Sequence, residues 1–215
     1  HGYPGNGKEY LARRVAESVF AEFVRVDADR VASAQDVKAL WSHYRGNGPV
    51  VLYLDYADQL FPKAGSENAG AGTREGTLAW LEEWNRQEAA QSGVWVIMSA
   101  QNEHGVHPRI VGNFGSSRVE ITAPKAPGRA LILANACVDN QMTAQVPAWV
   151  VDRTAGASIR ELRDIVKETK LHCVPNPPQD ADWREAIGHI RGSDAGFRDE
   201  RKTWDRLILP PEIKD

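Results

Sequence analysis

His1-Gly2-Tyr3-Pro4-Gly5-Asn6-Gly7-Lys8-Glu9 opens the chain, and its reading decides the fold. Gly2, four intervening residues, Gly7 and Lys8 fit the pattern of a phosphate-binding loop. Glycines let successive backbone N–H groups turn inward around an anion. The N-terminus of the following helix adds a partial positive charge, and a lysine here reaches the β- and γ-phosphates of a nucleotide. Gly2, Pro4, Gly5, Asn6, Gly7, Lys8 and Glu9 are therefore the candidate nucleotide-binding residues. The plain alternative is a glycine-rich turn ending in a helix-start glutamate. The pattern normally closes on Ser or Thr, whose hydroxyl binds Mg²⁺. Glu9 stands there instead. A carboxylate can ligate Mg²⁺, yet it repels the phosphates by about 4 kcal/mol at ~4 Å and an effective dielectric of 20, before metal compensation. Such a loop is aimed by a preceding strand. None is in the sequence, which reads as a fragment lacking its first strand.

Val50-Val51-Leu52-Tyr53-Leu54-Asp55 is an apolar run ending in an acid. A strand buried on both faces reads this way, and sheets of this class place ligands at the C-terminal ends of their strands. Asp55 is the candidate holder of the Mg²⁺ water shell, with Glu9 as a second metal candidate. The residue after Asp55 is Tyr56, whose phenol is a poor base at neutral pH. Asp58, three residues on, is a weak substitute for the missing base.

Around these two segments, strands and helices alternate. Helices are expected over Lys8–Phe20 (Leu11, Val15 and Val19 on one face), Ala34–Tyr44 and Thr73–Ala90 (Leu78, Leu81 and Trp84 inward). Strands are expected over Phe23–Val26, Val50–Leu54, Val94–Ala100 and Arg118–Ile121, with a mobile loop over Lys63–Gly72. This order implies an α/β fold with a parallel sheet and flanking helices. After Pro124-Lys125-Ala126-Pro127-Gly128 the reading is helical: Arg129–Asn140, Pro147–Thr154, Ser158–Leu171 and Asp180–Arg191. The expected organisation is an α/β nucleotide-binding domain over residues 1–124, a small all-helical lid over 125–191 and a tail over 192–215.

The 215 residues carry 26 Lys+Arg against 29 Asp+Glu, a net charge of −3, so there is no basic excess to mark a nucleic-acid binder. No apolar run approaches the ~20 residues that span a bilayer. No charged-then-apolar leader opens the chain. Cys137 and Cys173 lack metal spacing and are too few for a disulfide framework, which suits a reducing, cytoplasmic location.

The ordered set of motifs resembles the AAA+ ATPases, the AAA branch most closely, from residue 1 to about 191. His1–Lys8 looks like that family's aromatic-GPPGTGK loop, and Leu52–Pro62 (LYLDYADQLFP) like its FIDEIDALxP stretch. Val94–Asn102 (VWVIMSAQN) looks like the strand ending in Thr-Asn. Ala155–Asp164 (AGASIRELRD) looks like the start of the lid helix, and Asp182–Ala186 (DWREA) like an element of the last lid helix. The resemblance implies a P-loop NTPase sheet with a helical lid. It also implies ATP or ADP with Mg²⁺ as cofactors, and a ring or a hetero-assembly with a protein partner. It casts Asn102 as "sensor 1", able to orient a water by the γ-phosphate, and Arg160 as "sensor 2". The plain alternatives are a turn residue and an exposed helix arginine. Three departures stand out: Glu9 for the metal hydroxyl, Tyr56 for the catalytic glutamate, and Gly112-Asn113-Phe114-Gly115-Ser116-Ser117 where the family carries finger arginines. Arg109 and Arg118 flank that gap, and no aromatic-apolar-Gly pore loop is recognisable.

Three functions follow. The preferred one is an ATP/ADP-binding AAA+ module with weak or absent hydrolysis, acting as a regulatory or scaffolding unit. The alternatives are an active ATPase with a rebuilt site, and a nucleotide-free structural module presenting the Lys63–Gly72 loop or the Trp204–Pro211 tail.

Overall fold

The computed structural model describes residues 1–65, 71–90, 93–143 and 145–191. The tail and the centre of the Lys63–Gly72 loop lie outside these residues. Two compact units divide the chain, His1–Ile121 and Thr122–Asp215. The division falls three residues before the boundary expected from the proline-rich segment.

In the first unit, α1 (Lys8–Ser18) precedes β1 (Glu22–Val26), α2 (Ala34–Tyr44), β2 (Val50–Leu54) and the short α3 (Ala57–Leu60). The long α4 (Ala71–Ala90), β3 (Val94–Met98) and α5 (Pro108–Phe114) follow. The three strands form a parallel sheet in the order β1-β2-β3. β2 is central and buried along its length, which is why it is apolar at every position. Its residues serve two faces. Leu52 and Leu54 belong to the main core with Trp41 of α2 and Trp80 of α4. Tyr53 turns to the other face, stacked on Phe23 at 5.6 Å. The Trp41 and Trp80 rings lie 5.1 Å apart, and Phe61 closes on Trp80 at 5.6 Å.

Three details differ from the sequence reading. In α4 Leu81 and Trp84 are buried as expected and Trp80 joins them, whereas Leu78 is exposed. Leu78 and Trp80 are two positions apart, about 200° around a helix, so only one of them can face the sheet. In α1 the buried residues are Ala12 and Ala16, while Leu11, Val15 and Val19 remain partly exposed. Leu11 and Val15 border a cavity of about 350 Å³ that also touches Met98, Phe114 and Val119. The expected strand at Arg118–Ile121 does not form. That segment's backbone pairs with His1, whose N–H donates to Val119 O at 2.7 Å and whose carbonyl accepts from Ile121 N at 2.8 Å. Gly2 N then donates to Ala100 O at 3.1 Å. His1 and Gly2 thus lie between the end of β3 and residues 119–121, and the ladder goes no further among the described residues.

The second unit packs α6 (Ala126–Asp139), α7 (Ala148–Arg153), α8 (Ile159–Cys173) and α9 (Asp180–Arg191). Its core joins Leu133, Val150, Leu162, Ile165, Trp183 and Ile187. A capping box starts α8: Glu161 N donates to Ser158 Oγ at 3.3 Å, and Ser158 N to Glu161 Oε2 at 2.7 Å. The Arg129 guanidinium is buried and donates to Val151 O and Pro124 O, each at 3.0 Å, tying the unit's first residues to its core. No helix among the described residues is long and apolar enough to cross a membrane.

Candidate nucleotide site

The opening loop is shaped by backbone that only glycine adopts easily. Gly2 sits at φ 143°, and a Cβ there would lie 2.3 Å from Ile121 O. Gly7 caps α1 at φ 83°, in the left-handed region. Lys8 folds back over the loop, its Nζ donating to Gly2 O at 2.7 Å and Tyr3 O at 2.9 Å. Asn6 is buried and its Nδ2 donates to Ile121 O at 3.4 Å, which anchors the loop's middle. Pro4 and Gly5 complete the turn. Left-handed glycines, the N-terminus of α1 and the Lys8 ammonium are the groups that could hold a nucleotide's phosphates here. A bound triphosphate must draw Lys8 off its two carbonyls.

The two carboxylates assigned to Mg²⁺ come together, but on an arginine. Glu9 Oε2 accepts from Arg25 Nη1 at 3.0 Å, and Arg25 Nη2 lies 3.9 Å from Asp55 Oδ2. Arg13 meets the other oxygen of Glu9 at 3.2 Å. Arg25 lies in β1 opposite Tyr53 of β2, so strand register delivers its guanidinium beside the end of β2. Mg²⁺ asks for near-octahedral oxygen ligands at about 2.0–2.1 Å. Glu9 and Asp55 supply the right atoms, yet Arg25 already meets their charge. The ion does not fit between them unless the guanidinium leaves.

Asp55 is held from its own side of the sheet as well. Ser99 Oγ donates to Asp55 Oδ1, Tyr56 N donates to the same oxygen at 3.0 Å, and Tyr53 OH donates to Ser99 Oγ at 3.0 Å. Burial pushes the Tyr53 phenol up to about 12, so it remains a donor through the neutral range. Sequence reasoning missed both Arg25 and Ser99. Register would have found Ser99, because Leu54 pairs with Met98 and the next residues, Asp55 and Ser99, then face each other.

The groups expected to act on water are differently placed. Tyr56 holds a left-handed conformation at the start of α3, partly exposed to solvent. Asp58 is half-buried, and burial raises its carboxyl above the usual range, against the backbone amides of Gln101 and Asn102 and the charge of Lys8. Its Oδ1 is buried without a hydrogen-bond partner. The Asn102 side-chain carbonyl accepts from His104 N at 2.9 Å, capping the turn Glu103–Gly105. The turn role is thus realised, and the amide end is the one left to meet a water. Arg160 is an exposed residue in the first turn of α8, in the second unit. Arg109 is exposed in the first turn of α5, and Arg118 donates to Gly115 O at 2.8 Å and lies 3.7 Å from Glu103.

The chain is similar to known proteins. The family model for the ATPase family associated with various cellular activities (AAA) matches residues 1–122. The 26S proteasome regulatory subunit 8 homolog of Schizosaccharomyces pombe is 25% identical over 181 residues, covering 80% of this chain and 45% of that protein. Bovine spastin is 26% identical over 225 residues, covering 99% of this chain and 36% of spastin. The chain therefore spans less than half the length of these relatives. Among solved structures, the FIGL-1 AAA domain in complex with ADP superposes with a TM-score of 0.75 at 20% identity, covering 96% of this chain and 76% of that one. At that identity the likeness speaks for the fold. The sequence match over more than half of its residues places this chain in the AAA ATPase family.

Proposed function

We propose that this chain is an ATP- or ADP-binding AAA module whose own site turns nucleotide over slowly or not at all, and that it serves as a regulatory or scaffolding unit of an assembly. What carries the reading is the Arg25 bridge between Glu9 and Asp55, in a site that keeps its glycines and Lys8. The loop and Lys8 bind the phosphates. Arg25 supplies a fixed positive charge beside them, in place of much of what a divalent ion contributes. Tyr56 cannot take a proton from water at neutral pH. Finger arginines can contribute ~10³–10⁵ in rate in related chemistry, and the Gly112–Ser117 segment has none. A partner AAA subunit in a ring or hetero-assembly is the natural source of such arginines. The site residues are Gly2, Pro4, Gly5, Asn6, Gly7, Lys8, Glu9 and Asp55, with Asn102 and Arg160 as sensors, in a domain over residues 1–124 followed by the 125–191 lid.

The test is calorimetric titration of the protein with ATP and ADP, in Mg²⁺ and in EDTA. Binding that persists in EDTA and is lost on Lys8→Ala is expected. Absence of heat at millimolar nucleotide leaves the structural-module reading. One observation favours an active site rebuilt around another base: the half-buried Asp58 carboxyl, raised by burial and near Lys8. In that case Asp58→Asn abolishes a phosphate release that the wild type displays.

A further inference from the structure

Two Glu-x-x-x-His segments occur in the second unit, Glu168–His172 on α8 and Glu185–His189 on α9. Residues four apart share a helix face, so each helix offers a carboxylate and an imidazole one turn apart. The helices pack antiparallel, and the pairs cross: Glu168 meets His189, and His172 meets Glu185. His189 Nδ1 lies 3.0 Å from Glu168 Oε1, and His172 Nε2 lies 3.5 Å from the same oxygen. The two imidazole rings are 5.7 Å apart. Ligand atoms of Glu168, His172 and His189 all fall within 4.8 Å of one another.

We propose that Glu168, His172 and His189 form a binding site for a borderline divalent metal of the Zn²⁺ type. Two neutral imidazoles and one carboxylate are a donor set that Zn²⁺ favours, with a fourth position left to water. Tetrahedral ligands about 2.0–2.1 Å from zinc stand roughly 3.3 Å apart. The pairs at 3.0 and 3.5 Å already have about that spacing, and the two imidazole ligand nitrogens lie within 4.8 Å of each other. Glu185 has the supporting role. Its Oε2 lies 3.8 Å from His172 Nδ1, the ring nitrogen facing away from Glu168. Once rotated to within hydrogen-bond distance, a carboxylate on that nitrogen would fix the tautomer in which Nε2 carries the lone pair. The platform is rigid, because Ile165 and Thr169 on α8 and Ala186 and Ile187 on α9 are buried beneath the cluster. A metal here would staple the α8–α9 hairpin, and it involves none of the nucleotide-site residues.

The test uses the full chain, stripped with chelator and titrated with Zn²⁺ against a chromogenic competitor. One Zn²⁺ per chain is expected, with at least a tenfold loss of affinity in His172→Gln, His189→Gln and Glu168→Gln. Glu185→Gln should weaken binding by about tenfold, the lower end for an outer carboxylate, and His43→Gln should leave it unchanged. Zn K-edge absorption on the wild type provides a readout free of folding effects: two imidazole nitrogens in the first shell support the site. Fewer than two imidazoles, no stoichiometric Zn²⁺, or wild-type affinity in the His172 or His189 variant would each overturn it.

Discussion

If the proposed function holds, replacing Arg25 with methionine should strengthen the site's hold on Mg²⁺. In the wild type the guanidinium lies 3.0 Å from Glu9 and 3.9 Å from Asp55. A divalent ion seated between those carboxylates would stand about 4 Å from it. At that separation a +2 and a +1 charge repel by roughly 2 kcal/mol even at the dielectric of bulk water. Should Arg25 swing away instead, it forfeits two ion pairs of similar Coulomb energy. Either way about 2 kcal/mol is released on removing the charge, roughly a 30-fold gain in Mg²⁺ affinity. Methionine keeps much of the length and apolar stem of arginine, and the arginine is half exposed. The cost in folding stability should therefore stay near the ~1 kcal/mol upper end for exposed pairs. The assay is a Mg²⁺ titration monitored by a fluorescent ATP analogue at fixed nucleotide, with Mn²⁺ resonance as a direct readout. An unchanged or weaker Mg²⁺ affinity in the Arg25→Met protein would refute the reasoning.

Three other changes probe the frame around the site. Gly2→Ala puts a methyl 2.3 Å from Ile121 O. Thermal unfolding should register a loss of about 1–3 kcal/mol, as for an overpacked site, and nucleotide affinity should fall with it. Tyr53 carries a raised pKa, about 12 in the folded chain against 10 unfolded. Its stabilisation is complete below pH 10 and is lost as pH climbs from 10 to 12, because the unfolded state gives up its proton first. The slope should reach at most about 1.4 kcal/mol per pH unit. Tyr53→Phe should flatten it in urea denaturation series, and an identical alkaline slope in that variant would disprove the assignment. Trp80→Ala removes the ring against which Trp41 and Phe61 pack. A loss of about 3–5 kcal/mol is expected by chemical denaturation, whereas a loss under 1 kcal/mol would show that the core lies elsewhere.

The strands and helices were legible where the sequence is punctuated. Val50–Leu54 is bounded by Pro49 and Asp55, and Ala34–Tyr44 ends at the Gly46–Pro49 break. Both are found as read. The orientation of α1 was not legible. Its leucine–valine stripe predicts burial, yet the face that packs is the alanine one, because small side chains let the helix approach the sheet. Cradle residues could be named from spacing alone, since glycine and lysine positions carry their own backbone and charge requirements. Arg25 could not. Its importance comes from a neighbouring strand 30 residues from Asp55, brought near by parallel pairing that one sequence does not print. The second Glu-x-x-x-His segment likewise gains meaning only once α8 and α9 lie antiparallel.

The proposal turns on the loop from His1 to Lys8 holding a triphosphate in a site that cleaves it slowly or not at all. A single-turnover experiment tests it most directly: excess protein is mixed with γ-labelled ATP and Mg²⁺, and the bound nucleotide is recovered over hours. Retention of intact ATP on the wild type, and none retained on Lys8→Ala, is the predicted result. Conversion of bound ATP to ADP within minutes, abolished by Lys8→Ala, would contradict it.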